Sequence, residues 1–349
     1  MRRVPPALAA ALLAASCLHA AEPSVSFDRR VELDGELQSA CASAPEGYRR
    51  LTAREAKFLP PATCRPGDVP AEDVPFDARA QVMMRLGPPP ELSARGIPDA
   101  LTARIGPPAA NARWLAALRS LARSTAAASA FEDETRSEEP AAAAFRARLA
   151  RGAFVAAIEA YTGLALPGEH RVFLSPFHEA GGVANVVDDQ PDGTVAVSSL
   201  LGPAVSASGD DYWTLRVPGT LWHEESHGVL DPLAVAWTER IERARPADAA
   251  AICYGDWRQC VREHVVRAVM IRLMERELGP AAAAEQLAFE NPRRFRWLVP
   301  MIASLKKYEA DRARWPTLAD YYPRLLDAVR PESPAPLPTL RPDREPPPV

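Results

Sequence analysis

The residues best suited to chemistry lie together in Thr220-Leu221-Trp222-His223-Glu224-Glu225-Ser226-His227-Gly228-Val229-Leu230, which contains the order His-Glu-x-x-His. On a helix, side chains four apart stand one above the other, so His223 and His227 can aim their Nε2 atoms at one zinc ion. Glu224 is turned about 100° round the axis from His223 and stands beside such an ion rather than on it. That is the place for a general base. Zinc brings the pKa of a water down to about 7, and a neighbouring carboxylate then takes the proton. Six His and 26 Glu among 349 residues give about 0.008 chance occurrences of the pattern. Apolar Leu221, Trp222, Val229 and Leu230 flank it and put the pair at the edge of a core, a setting that surface histidines would not need. Glu225 is expected to face solvent or to stand behind the ligands.

A catalytic zinc takes three protein ligands and keeps its fourth position for water. Glu263, in Val261-Arg262-Glu263-His264-Val265-Val266-Arg267-Ala268 and 36 positions after His227, is expected to be the third. Its plainer reading is a carboxylate near a helix start, paired with Arg267 at i+4. His264 would face elsewhere, packed in the core or behind the ligands. Asp231, four after His227 and just before Pro232, is explained by helix termination. His170 and His178 fall in a β region, where a lone histidine is structural or on the surface. Tyr254 and Arg267 are the candidates to stabilise an oxyanion.

The elements that must position these residues read as α+β: a mainly helical, zincin-like fold with a small sheet beside the active helix. Short helices are expected at Val31–Ala40 and Thr52–Phe58, with proline runs at 60–61, 88–90 and 107–108 breaking longer ones. Asn111 is expected to cap a helix to about Ala130, Glu132–Glu139 to form a solvated loop, and a second helix to run from Ala141 to Tyr161, near Gly163. Strands are expected at 171–175, 183–187 and 195–199. Pro218 suits the first turn of the histidine helix, which is expected to stop at Asp231-Pro232. Later helices are placed at about 232–244, 258–278, 292–313 and 317–329, with Gly279 as a C-cap. The expected division is 1–21 as a signal peptide, 22–165 as a helical, loop-rich region, 166–330 as the catalytic region and 331–349 as a proline-rich disordered tail.

Arg2 and Arg3, the apolar run Leu8–Leu18 and the small residues to Ala21 make the signal. The run is too short to span a bilayer, and no later segment is long enough, so no transmembrane segment is expected. Acylation at Cys17 would need a large aliphatic residue three before it, where Ala14 stands. The expected location is periplasmic or secreted. Cys41, Cys64, Cys253 and Cys260 remain after Cys17, an even set for two disulfides in an oxidising compartment. Proximity favours Cys41–Cys64 and Cys253–Cys260; a four-cysteine metal site would want CxxC pairs. A formal charge of −4 and pI near 6.0 point to neither nucleic acid nor an anionic membrane surface, and no nucleic-acid partner is expected.

The chain resembles a bacterial domain-of-unknown-function family of exported gluzincin-type zinc metallopeptidases. That family carries His-Glu-Phe-Ser-His followed by Asn-Pro, where this chain has His223-Glu224-Glu225-Ser226-His227 and then Asp231-Pro232. Arg30-Val31-Glu32-Leu33, Ser175-Pro176, Gly181-Gly182, Glu263 with Arg267-Ala268, Tyr308-Glu309 and Tyr321-Tyr322-Pro323 match in the same order. The resemblance implies zinc with Glu263 as third ligand and a hydrolase, and supplies no substrate. Residues 225 and 231 are departures. The expected function is thus a zinc peptidase acting on a peptide or protein, its substrate pairing along the strands around Ser175–Val187. The alternative is a secreted binding or scaffold protein that keeps the fold without turnover.

Overall fold

A computed structural model describes residues 23–40, 76–94, 96–150, 154–166, 168–175, 183–189, 195–201, 216–249, 256–290 and 295–329. Cys17, Cys41, Cys64, Cys253, Tyr254, His178, Gly181, Gly182, the helix expected at 52–58, the signal segment and the proline-rich tail lie outside those residues. The described chain is mainly helical with a small sheet, an α+β protein. It divides into two compact units.

The first unit takes in the described residues up to Phe154 and those between Pro167 and Val217. It holds β1 (Ser24–Phe27), α1 (Arg29–Ala40), α2 (Phe76–Met84), α3 (Asp99–Ile105), α4 (Pro108–Ala122), α5 (Thr125–Leu149), β2 (Glu169–Leu174), β3 (Val183–Asp189) and β4 (Val195–Leu201). The sheet order is β1-β2-β4-β3. β1 and β4 both run parallel to β2, with Val25 opposite Val172 and Phe173 opposite Leu200, and β3 closes one edge antiparallel to β4. Because β1 pairs with β2, the sheet groups with the N-terminal helices and not with the helices after Pro218, unlike a linear division at 165. Leu33, Leu37, Val82, Met83, Leu101, Trp114 and Leu118 pack the helical core. Within it, buried Asp34 receives Arg79 Nε at 3.0 Å and Trp114 Nε1 at 3.2 Å, so its charge is paired.

Four expectations fail here. The helix placed from Asn111 to about Ala130 ends at Ala122, with a new one starting at Thr125. The helix placed at 141–161 is divided between α5, ending at Leu149, and another starting at Phe154. Two local readings are overturned as well. Pro107 and Pro108 start α4, and Asn111 instead bonds back from inside it, donating to the carbonyls of Thr102 and Gly106. The acidic run 132–139 is not a loop: it continues α5, which Ser124 caps at Ala127 N. Alanine, glutamate and arginine are strong helix formers, and Arg136 with Asp133 and Arg146 with Glu139 balance its charge along the exposed face.

The second unit takes in Val155–Leu166 and the described residues from Pro218 on. Its elements are α6 (Phe154–Thr162), α7 (Arg216–Ala236), α8 (Thr238–Arg243), α9 (Trp257–Glu277), α10 (Pro280–Glu290), α11 (Leu298–Ala310) and α12 (Leu318–Leu325), followed by a 3-10 turn at Leu326–Ala328. Every residue from His264 to Met274 is buried, so α9 is the central helix, covered on all sides. Asp256 caps its start by accepting from Arg258 N and Gln259 N. Gly279 follows its end with φ +96, in keeping with a C-cap. The helix expected at 292–313 is shorter, and α10 precedes it in a stretch the periodicity did not mark.

Candidate metal centre

The site is built from α7 and α9. Along α7, Leu221, Trp222, Glu225, Ser226, Val229 and Leu230 are buried, while His223, Glu224, His227 and Asp231 occupy the adjoining half-buried stripe. The chemistry therefore sits at the margin of the core, as the flanking apolar residues require. Gly219 lets α7 approach α9: a Cβ there would lie 2.8 Å from Met274 Sδ and 3.7 Å from Met270 Sδ. Glu225 is buried, which corrects the solvent-facing alternative for it.

α7 does not stop at Asp231-Pro232 but runs through the proline to Ala236. Proline removes one backbone hydrogen bond, at a cost of about 3 kcal/mol inside a helix. Burial of Leu230 and Ala234 on either side offsets it. The extension gives Asp231 a job that helix termination did not foresee. Its Oδ1 lies 3.1 Å from His227 Nδ1, and its Oδ2 lies 3.5 Å from Arg262 Nη1 on α9. A carboxylate accepts, so Nδ1 is the protonated nitrogen of the neutral His227 ring, which then has its lone pair on Nε2.

The structure brings His223, His227 and Glu263 together, with one donor atom from each lying within 4.8 Å of the others. The two Nε2 atoms are 3.4 Å apart. Glu263 Oε2 is 3.5 Å from His223 Nε2, and its Oε1 is 3.8 Å from His227 Nε2. Donors at 2.0–2.1 Å from zinc in tetrahedral array stand about 3.4 Å from one another. The three observed edges fit that size, and two imidazoles with one carboxylate are a donor set that zinc accepts. A direct imidazole–imidazole hydrogen bond would draw the nitrogens closer, into the range of about 2.7–3.2 Å.

Glu224 stands to one side, its Oε1 3.8 Å from His223 Nε2. Burial raises its carboxyl to about 7; His227 pulls the other way, Glu263 adds to the rise, and Arg267 opposes it. Burial alone would lower His227, but its hydrogen bond to Asp231 and the charges of Glu224, Asp231 and Glu263 leave it raised above the ordinary imidazole range. His264 points away from this cluster. Its Nδ1 donates to Cys260 O at 2.7 Å and its ring packs on Phe295 and Trp297, and burial drops its pKa to about 4. His170 is buried in β2.

Arg267, a candidate for the oxyanion, is committed elsewhere. Its Nη1 bonds Glu263 Oε2, its Nε lies 3.1 Å from Glu290 Oε2, and its guanidinium stacks 4.2 Å over the Phe295 ring. Gln286 donates to the other oxygen of Glu290 at 2.8 Å. The i+4 pairing of Glu263 with Arg267 is thus present alongside the approach of Glu263 to the histidines. Sequence reasoning missed the supporting roles of Asp231, Arg262, Gln286 and Glu290. The spacing that paired the histidines would have found Asp231 had the helix been carried past the proline. Cys260 is disulfide-bonded; Cys253, its expected partner, is outside the described residues.

A comparison with protein families matches residues 76–328 to the family described as Domain of unknown function (DUF4932), a span that includes every residue of this centre. The match covers most of the chain, which belongs to that family. No curated protein and no solved structure matches. Among the described residues no helix is long and apolar enough to cross a membrane.

Proposed function

We propose that this DUF4932 chain is an exported zinc hydrolase of zincin-like type that cleaves amide bonds in peptides or proteins. The observation that carries the proposal is the convergence of His223, His227 and Glu263 at 3.4–3.8 Å, with the Glu224 carboxylate against the same cluster. His223 Nε2, His227 Nε2 and a Glu263 oxygen would hold the ion. When bound there, zinc supplies a Lewis acid that acidifies water and polarises a carbonyl. Glu224 Oε1 takes a proton from that water and later delivers it to the departing amine nitrogen, a general base turned general acid. Asp231 keeps the His227 ring in the required tautomer, and Arg267 keeps the Glu263 carboxylate turned toward the histidines. The buried Trp222, Val229 and Leu230 behind the histidines exclude water from that side. The disulfide at Cys260 and the signal-like N-terminus support export.

The test is metal content followed by turnover. Purified protein should hold one zinc per chain and cleave members of a mixed peptide library, and Glu224→Gln should keep the zinc while losing cleavage. Protein that takes up no zinc after zinc-loaded refolding overturns the proposal at its base. One zinc with no cleavage of any peptide would make the chain a metal-holding binding protein instead.

A further inference from the structure

We infer that Asp231 is a positioning residue for the metal centre, clamped between His227 of α7 and Arg262 of α9. Asp231 ligates nothing itself: the donors that converge are His223, His227 and Glu263. Its two oxygens instead divide between two tasks. Oδ1 takes the Nδ1 proton of His227 at 3.1 Å, which fixes both the tautomer and the plane of that ring. Oδ2 faces Arg262 Nη1 at 3.5 Å, and Arg262 is the residue just before Glu263 on α9.

One side chain thereby ties the helix that carries two ligands to the helix that carries the third, at the level of the ligands. Such a tie is of use only if the distance between the two helices matters to what the three donors do. A helix-ending aspartate would instead turn its oxygens to backbone amides at a chain turn. Here α7 continues for five residues beyond Asp231.

The inference rests on the metal reading, and the measurements separate the two. Zinc dissociation constants would be obtained by competition with a chromophoric chelator for the wild type, Asp231→Ala, Asp231→Asn and Arg262→Gln. Circular dichroism and thermal unfolding of the metal-free proteins would follow the fold. Asp231→Ala should bind zinc about 10- to 100-fold more weakly with helix content unchanged. Asp231→Asn, whose amide oxygen still accepts from Nδ1, should recover most of that loss, and Arg262→Gln should lose less than Asp231→Ala. The visible spectrum of the cobalt-loaded Asp231→Ala protein should also shift, because a ring freed to turn changes the ligand field.

An independent measurement needs no variant. Long-range proton–nitrogen NMR of metal-free wild type at alkaline pH should show His227 protonated at Nδ1. Zinc affinity in Asp231→Ala within about threefold of wild type, or a wild-type His227 protonated at Nε2, overturns the assignment while the metal centre stands. Wild type without zinc affinity overturns both together.

Discussion

Glu263→Gln separates the two tasks of that side chain, which faces the histidine nitrogens and also receives Arg267. Glutamine has the same length, and its amide oxygen still accepts from the guanidinium. The links from Arg267 to Glu290 and from Glu290 to Gln286 then remain. Only the negative charge is lost. A ligand that binds the folded chain alone stabilises it by RT ln(1 + [L]/Kd), about 2.7 kcal/mol at 100 times Kd. If removal of the charged donor weakens zinc about 100-fold, the same zinc concentration leaves about 0.4 kcal/mol. For a compact unit of the size of the one that carries this cluster, each kcal/mol moves its melting temperature by roughly 2–4 °C. Wild type should therefore gain about 5–11 °C on zinc addition and Glu263→Gln about 1–2 °C.

Thermal unfolding in zinc-buffered solution reads the difference directly, with each protein compared with its own chelated form so that any change in the metal-free fold cancels. Glu224→Gln is the control. Its side chain stands beside the donors, so it should keep the wild-type shift. A full zinc shift in Glu263→Gln would move the third ligand elsewhere and dissolve the link between α9 and the histidines. A full shift lost in both variants would mean that the cluster responds to charge alone and not to the identity of the ligand.

Three predictions test the supporting structure. Burial raises Glu36 from 4.5 to about 7 against the pull of Arg29; its folded pKa lies above its unfolded one, so its contribution is whole below 4.5 and is lost as pH rises through 7. In urea unfolding, Glu36→Gln should equal wild type near about pH 4.5 and exceed it by up to about 3 kcal/mol near about pH 8.5; a gap that ignores pH refutes the burial account. Gly163 has φ +68, and a Cβ there would meet Pro316 O at 2.5 Å and Thr317 Cα at 3.1 Å. Gly163→Ala should cost at least about 2 kcal/mol, and an unchanged melting temperature would contradict it. Asp34→Ala strands buried Arg79 and the Trp114 indole and should cost about 3–5 kcal/mol by urea unfolding; a loss under about 1 kcal/mol would mean that water replaces the carboxylate.

The pairing of His223 with His227 was legible because its signal is local: two histidines at helical spacing with a glutamate between them need only a helix. Strands β2, β3 and β4 were equally plain, from short β-branched runs. What escaped was set by distant contacts. β1 has four residues, and only its parallel pairing with β2 makes it a strand. The run 132–139 looked like a loop by charge, yet Ala142, Phe145 and Leu149 bury one side of α5 and carry the acidic turns with them. Pro232 was read as a helix stop, and Pro140 stands between the loop expected at 132–139 and the helix expected from Ala141. Both lie inside helices, since packing around a proline outweighs one missing amide. The partners of the donors escaped for the same reason. Asp231 was dismissed with the helix end, and Glu290 lies on a helix whose alanine-rich sequence shows little periodicity.

The charge around His223, His227 and Glu263 bears on the two accounts of Glu263. Glu224, Glu225, Asp231, Glu263 and Glu290 are grouped about a centre to which Arg262 and Arg267 bring guanidiniums. Carboxylates gathered in a poorly solvated place repel one another, and the group relieves this by holding protons or by taking in a cation. Burial and Glu263 together push Glu224 up to about 7, which is the first of these outcomes. Without an ion, the histidine nitrogens would meet Glu263 as charged partners, His227 being raised, against burial, by Asp231, Glu224 and Glu263. A divalent cation among the three donors removes the surplus and uses the convergence, while Arg267 keeps the carboxylate turned toward it. On the proposed metal reading, the ion pair and the ligand role would be two parts of one arrangement, with the arginine supporting the glutamate and the glutamate completing the centre.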